Sequence, residues 1–301
     1  MEKALFSGVC TALVTPFLGD RVNYPMLERL LQNQLEAGIT AVVLCGTTGE
    51  SPTLTDEEKI EIFRHGKAFV GDRMKIICGT GSNNTEHAVA LSRAAEDTGA
   101  DALLVVSPYY NKGNSEGQFH HYTAIAQKVK APIILYNVPG RTGVDLSVAL
   151  YERLSHIPNI VGVKEASSDI TKIPKIRNAC GPHFHIWSGN DDLAVAAMAM
   201  GAKGVISVLS NLLPEVTQMM ADAAMAGDFD TASDLQCRLL PIIDTLFSEV
   251  NPIPVKAAMK ICGFDCGECR LPLGAASEKT VERLRFLLKN DRSSEKNCDH
   301  N

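Results

Sequence analysis

The chain has 301 residues, with 29 basic and 35 acidic side chains and a formal net charge of −6. Hydrophobic residues make up 45% and charged residues 21%, a globular balance that excludes a disordered chain, a collagen-like repeat and a small disulfide scaffold. The acidic excess argues against a nucleic-acid partner, since no basic surplus can meet phosphates, and no apolar run approaches the ~18 residues of a membrane span.

Residues 1–17 carry one lysine and a loosely apolar run interrupted by Gly8, Thr11, Thr15 and Pro16. No small-residue cleavage site follows, so the segment reads as a first strand rather than a signal peptide. Eight short β-branched runs then mark strands at 8–13, 41–44, 75–78, 102–106, 132–136, 160–164, 185–188 and 204–207. Amphipathic helical patterns lie between them, at 25–37, 55–70, 85–99 and 117–130. Thr55 followed by Glu58 is a capping-box signature. Gly38, Gly99 and Gly201 each precede a strand by a few residues, the place where a helix ends in the left-handed conformation. Strand and helix in alternation predict a parallel sheet buried on both faces. Eight strands fit a closed (β/α)8 TIM barrel, whereas an open doubly wound sheet would carry a G-x-G-x-x-G after its first strand, and none is present.

Beyond residue 214 only helical patterns remain, at 214–226, 229–250, 254–262 and 277–289. The expected division is a catalytic barrel over 1–226, a C-terminal helical domain over 227–290 and a polar tail over 291–301. Nine cysteines is an odd number, and most sit singly in apolar surroundings, so they read as buried thiols of a reducing, cytoplasmic compartment. Cys262, Cys266 and Cys269 lack a well-spaced fourth ligand for zinc. No histidine and carboxylate set converges at the strand ends, so no metal is expected.

A barrel of this kind builds its active site at the carboxyl ends of the strands. Lys164 closes an apolar strand there. Burial penalises its ammonium and so favours a neutral amine able to form an imine with a carbonyl substrate; an ion pair with Glu165 is the structural alternative, and position alone leaves both open. Tyr136 ends the neighbouring strand and could move protons on and off the carbinolamine oxygen, with Thr47 and Tyr110 as relaying hydroxyls. The loop 46–50 offers hydroxyls and backbone N–H groups to a small anion, without the Lys-Ser/Thr ending of a nucleotide loop. Arg141 could grip a carboxylate with two donors.

These residues stand in segments that resemble the dihydrodipicolinate synthase family of pyruvate-dependent class I aldolases. The segments are Thr-Ala-Leu-Val-Thr-Pro-Phe (11–17), Gly-Thr-Thr-Gly-Glu-Ser (46–51), Pro-Tyr-Tyr-Asn-Lys (108–112), Tyr-Asn-Val-Pro-Gly-Arg-Thr (136–142), Gly-Val-Lys-Glu-Ala (162–166), Ser-Gly-Asn-Asp (188–191), Gly-Val-Ile-Ser-Val (204–208) and Asn-Pro-Ile-Pro-Val-Lys (251–256). The resemblance implies that Lys164 forms a covalent imine with pyruvate and needs no further cofactor. It implies that Tyr136, Thr47 and Tyr110 relay protons, Tyr110 reaching in from a neighbouring subunit. Thr48, Gly189 and Ile206 would bind pyruvate together with Thr47, and Arg141 would receive the carboxylate of L-aspartate 4-semialdehyde. A homotetramer, built as a dimer of dimers, is implied as well. A sugar-acid aldolase of the same superfamily and a catalytically silent barrel acting as a binding protein are the alternatives. Ser51, Asn83 and Tyr109 match a regulatory lysine site. Asp56 and Lys59 stand where lysine-inhibited members have histidines, and His87 where they have a glutamate, so weak or absent lysine inhibition is expected.

Overall fold

The computed structural model describes residues 4–290. Eight parallel strands close into a barrel: β1 (Gly8–Ala12), β4 (Ala41–Leu44), β5 (Lys75–Gly79), β6 (Ala102–Val106), β7 (Ile133–Asn137), β8 (Ile160–Glu165), β9 (His185–Ser188) and β10 (Gly204–Ser207). Each pairs with the next in chain order, and β10 closes on β1 with Gly8 opposite Gly204. A small antiparallel hairpin, β2 (Phe17–Leu18) with β3 (Arg21–Val22), follows the first strand. The expected strands are all present, with ends within a residue of the sequence pattern.

The helices around the barrel are α1 (Tyr24–Glu36), α2 (Asp56–Val70), α3 (Thr85–Asp97), α4 (Ser115–Ala126), the one-turn α5 (Pro139–Thr142), α6 (Val148–Ser155), α7 (Lys172–Cys180), α8 (Ala194–Ala199) and α9 (Pro214–Ala226). Thr55 and Glu58 form the reciprocal capping box that opens α2, and Gly38, Gly99 and Gly201 have positive φ. The short helices α5 to α8 escape the sequence reading, because four to nine residues hold too few turns to show a period. Three further helices, α10 (Phe229–Leu246), α11 (Ile253–Ile261) and α12 (Glu278–Asn290), complete the described residues. The tail expected at 291–301 lies outside the described residues. No helix among the described residues is long and apolar enough to cross a membrane.

Alternation along the strands sorts side chains into two cores. Ile133 and Leu135 of β7 pack outward against the helices, while Ile134 and Tyr136 point into the barrel with Cys10, Trp187 and Ile206. Phe6 stacks on Trp187 at 4.9 Å, and the Trp187 indole N–H donates to the Phe6 carbonyl.

Candidate active site

The strand register places the first two suspects side by side: Tyr136 of β7 lies opposite Lys164 of β8, and Asn137 opposite Glu165. Lys164 is buried, and its Nζ stands 4.4 Å from the centre of the Tyr136 ring. Among the described residues Lys164 makes no ion pair. Its neighbour Glu165 faces away, toward the helices. There its carboxylate accepts from Asn137 Nδ2, from the Tyr151 hydroxyl at 2.9 Å and from the Ser167 amide, with the Lys172 ammonium at 3.9 Å. The structural alternative to an imine-forming lysine, a Lys164–Glu165 pair, is therefore corrected. Adjacent residues on a strand point to opposite faces, so the two side chains cannot meet.

Gly189, directly after β9, sits against this lysine. A side chain there would bring its Cβ to 3.0 Å from Lys164 Cε and 2.5 Å from Ala166 Cβ, so glycine leaves the lysine its room. Ile206 is fully buried inside the barrel in the same core as Tyr136. Asp191, two residues after Gly189, is buried and accepts from the Val208 and Leu209 amides at 2.9 and 3.0 Å. Burial pushes its carboxyl up, against those bonds and the attraction of Lys164.

A cavity of about 690 Å³ opens above these groups, and Thr47, Tyr136, Arg141, Ser51, Asn83 and Tyr109 all line it. Thr47, Tyr136 and Arg141 thus border the same space as the residues matched to a regulatory site, Ser51, Asn83 and Tyr109. A second depression, of about 500 Å³ between α1 and residues 262–264, contains none of them. Thr48 is buried, and its hydroxyl oxygen accepts from Asn251 Nδ2 at 3.0 Å. The Arg141 guanidinium donates to the Asn251 carbonyl at 3.2 Å. Lys164, Thr48, Gly189 and Ile206 lie below or beside the cavity lining rather than in it, and Tyr110 is absent from the lining as well. Tyr110 has a φ of 70° and is 88% exposed.

Asp56, Lys59 and His87, the three departures from a lysine-binding pattern, join each other. His87 Nε2 meets Asp56 Oδ2 at 2.7 Å, His87 Nδ1 meets Ser82 Oγ at 3.0 Å, and the Lys59 ammonium meets Asp56 Oδ1 at 3.3 Å. Burial pushes the Asp56 carboxyl up, but its bonds to His87 and Lys59 outweigh this and hold it below the usual carboxylate range. No group of three or more His, Cys, Asp or Glu among the described residues could hold a metal. Cys10, Cys45, Cys78, Cys180, Cys237, Cys266 and Cys269 are free thiols. Cys262 is disulfide-bonded, which departs from the expectation of buried thiols in a reducing compartment.

Asn251, Lys256 and Glu50 also converge on this site, and no role was assigned to them from sequence. The available signal was a polar Asn and Lys framing an otherwise apolar, proline-containing segment, 251–256.

Comparison with known proteins agrees with this geometry. The model of the dihydrodipicolinate synthetase family matches residues 5–291. The 4-hydroxy-tetrahydrodipicolinate synthase of Acetivibrio thermocellus is 44% identical over 96% of this chain and 98% of its own length. Among solved structures, the dihydrodipicolinate synthase of Aquifex aeolicus is 42% identical, with a TM-score of 0.93 over 94% of this chain and 97% of that one. The Cyanidioschyzon merolae enzyme with lysine bound is 38% identical, with a TM-score of 0.93 over 95% and 98%.

Proposed function

Because the chain belongs to the dihydrodipicolinate synthetase family, we propose that its barrel mouth condenses pyruvate with L-aspartate 4-semialdehyde to 4-hydroxy-tetrahydrodipicolinate, the first committed step toward diaminopimelate and lysine. The Lys164 amine adds to the pyruvate ketone. Tyr136, with Thr47 and a Tyr110 supplied by a second copy, protonates the carbinolamine oxygen, and water leaves to give the protonated imine. That imine is the electron sink: loss of a methyl proton gives an enamine, whose carbon attacks the aldehyde and forms the new C–C bond. The amino group of the second substrate then attacks the imine carbon, closes the ring and returns the lysine amine. Each step uses only side chains and substrate atoms, so the reaction needs no added cofactor. Thr47 and Thr48, together with Gly189 and Ile206, are assigned to pyruvate, and Arg141 to the distal carboxylate.

The observation that carries this reading is Lys164, buried, paired with no carboxylate among the described residues and 4.4 Å over the ring of Tyr136, which lines the cavity. A structural lysine would have a carboxylate within reach. Borohydride reduction in the presence of pyruvate should add one adduct, located on Lys164 by peptide mass spectrometry. An unmodified Lys164 peptide would overturn the reading. A coupled assay with aspartate semialdehyde, set against a panel of sugar acids, separates the synthase from a sugar-acid aldolase.

A homotetramer, built as a dimer of dimers in the cytoplasm, belongs to the same proposal. Its support is Tyr110, whose exposure makes the relay incomplete within one copy. Ser51, Asn83 and Tyr109 form the wall of a regulatory site with a weak response to lysine. The Asp56 carboxylate there is already taken by His87 and Lys59, and the Lys59 ammonium repels an incoming cation.

A further inference from the structure

The loop 46–50 carries both site threonines, yet no strand or long helix holds it. Its own bonds are local, such as the Glu50 amide donating to the Thr47 carbonyl at 3.1 Å. It is held by the Thr15 hydroxyl, which donates to the Gly49 carbonyl at 2.7 Å, and by the C-terminal segment around α11. Glu50 ends the loop at a φ of 56°. Its carboxylate is fully buried, 2.5 Å from the ammonium of Lys256 on α11, whose side chain is only 3% exposed. The Arg270 amide donates to the other carboxylate oxygen at 2.9 Å. Lys256 also lies 4.3 Å over the Phe17 ring. A buried pair of this kind contributes little net stability compared with an apolar pair of the same shape. What it supplies is a fixed loop geometry.

Asn251, just ahead of α11, completes the grip. Its Nδ2 donates to Thr48 Oγ1, and its carbonyl receives Arg141. A hydroxyl has one proton. With its oxygen occupied as acceptor by Asn251, Thr48 keeps that proton free to donate elsewhere, toward an anion at the loop. We infer that Asn251 and Lys256 are positioning residues of the active site: Lys256 sets the threonine loop through Glu50, and Asn251 sets the direction of the Thr48 O–H. The inference rests on the reading of that loop as the pyruvate contact.

The test compares N251A, N251D and E50Q/K256M with the unmodified full-length enzyme. It measures KM for each substrate, borohydride-trapped adduct and thermal midpoint. N251A, losing one hydrogen bond to the threonine, should raise the pyruvate KM about tenfold and leave the semialdehyde KM unchanged. N251D should be worse than N251A despite its nearly identical shape. Its carboxylate cannot donate and instead draws the Thr48 proton away from the substrate. A role in packing alone predicts the reverse order. E50Q/K256M, which leaves no unpaired charge, should hold its thermal midpoint while its pyruvate KM rises. Unchanged pyruvate KM in N251D, or loss of thermal midpoint alone, overturns the inference. Absence of any adduct in the unmodified enzyme would overturn the function itself, a separate result.

Discussion

Replacing Gly189 with alanine is the sharpest single-atom test of the site. The added Cβ would stand 2.5 Å from Ala166 Cβ and 3.0 Å from Lys164 Cε. Ordinary carbon contacts lie at about 3.5–4.0 Å, so the shortfall against Ala166 is roughly 1 Å. Ala166 has a lone methyl, and no rotation can relieve the contact. The backbone must part where the Gly189 amide donates to the Glu165 carbonyl at 2.7 Å, and Lys164 must swing from its place over Tyr136. Overpacking of this order costs about 1–3 kcal/mol, or roughly 2–4 °C of thermal midpoint per kcal/mol. Misplacing a reacting group by about 1 Å costs on the order of 100-fold in rate. The rate of borohydride-trapped pyruvate adduct, followed by mass spectrometry, should fall by about that factor in G189A. The double variant A166G/G189A removes the worse contact and should regain thermal stability, while recovering only part of the rate. Adduct formation at the unmodified rate in G189A would refute the placement of Gly189 against the lysine.

Burial lowers the His121 imidazole to about 4, below the value near 6.5 of an unfolded histidine. Between those values the unfolded chain takes a proton that the folded chain refuses. Stability should therefore fall as pH drops through that window, by roughly 2–4 kcal/mol in all. H121N should flatten this slope in pH-dependent thermal melts, and an equally steep slope in the variant refutes the assignment. Tyr110→Phe should lose turnover, and mixing it with a Lys164→Ala parent should restore part of the activity. No gain on mixing, once subunit exchange is shown by mass spectrometry, would count against a hydroxyl from a second copy. Submillimolar L-lysine should leave the steady-state rate unchanged, whereas D56H/K59H/H87E should become sensitive. Strong inhibition of the unmodified enzyme would refute the argument from the Asp56, Lys59 and His87 cluster.

The barrel was legible because its strands are short, apolar and separated by capped helices. Each signal is local, so the ends of β4, β9 and β10 could be read to the residue. Lys164 and Tyr136 were legible for the same reason, since each closes a strand at the end where this fold keeps its chemistry. Their mutual orientation was not. Whether Lys164 faces Tyr136 or pairs with Glu165 depends on the β7–β8 register, a long-range fact that spacing along one strand does not encode. Asn251 and Glu50 are 201 positions apart, and only the closure of the chain brings α11 over the loop 46–50. The inward turn of Lys256 was hidden likewise, because a lysine on an amphipathic helix ordinarily faces water.

The two faces of one strand pair explain how a barrel this apolar can hold a reactive amine in place. Tyr136 and Lys164 occupy opposed positions on the inside, and the next pair, Asn137 and Glu165, occupies opposed positions on the outside. On the proposed mechanism the inner pair changes partners as substrates come and go, so it cannot be fixed by strong bonds of its own. The outer pair faces the helices and is well bonded: Asn137 Nδ2 donates to Glu165 and also to Asp145 at 2.8 Å, while Asn137 Oδ1 accepts from the Leu146 amide at 3.0 Å. With a side-chain period of two, any slip that misdirected Lys164 would also drive the Glu165 carboxylate into the apolar interior away from its donors. Leaving such a group unsatisfied costs several kcal/mol. The orientation of the inner lysine is thus enforced from the far side of the sheet, where polar bonds can be made without obstructing the chemistry.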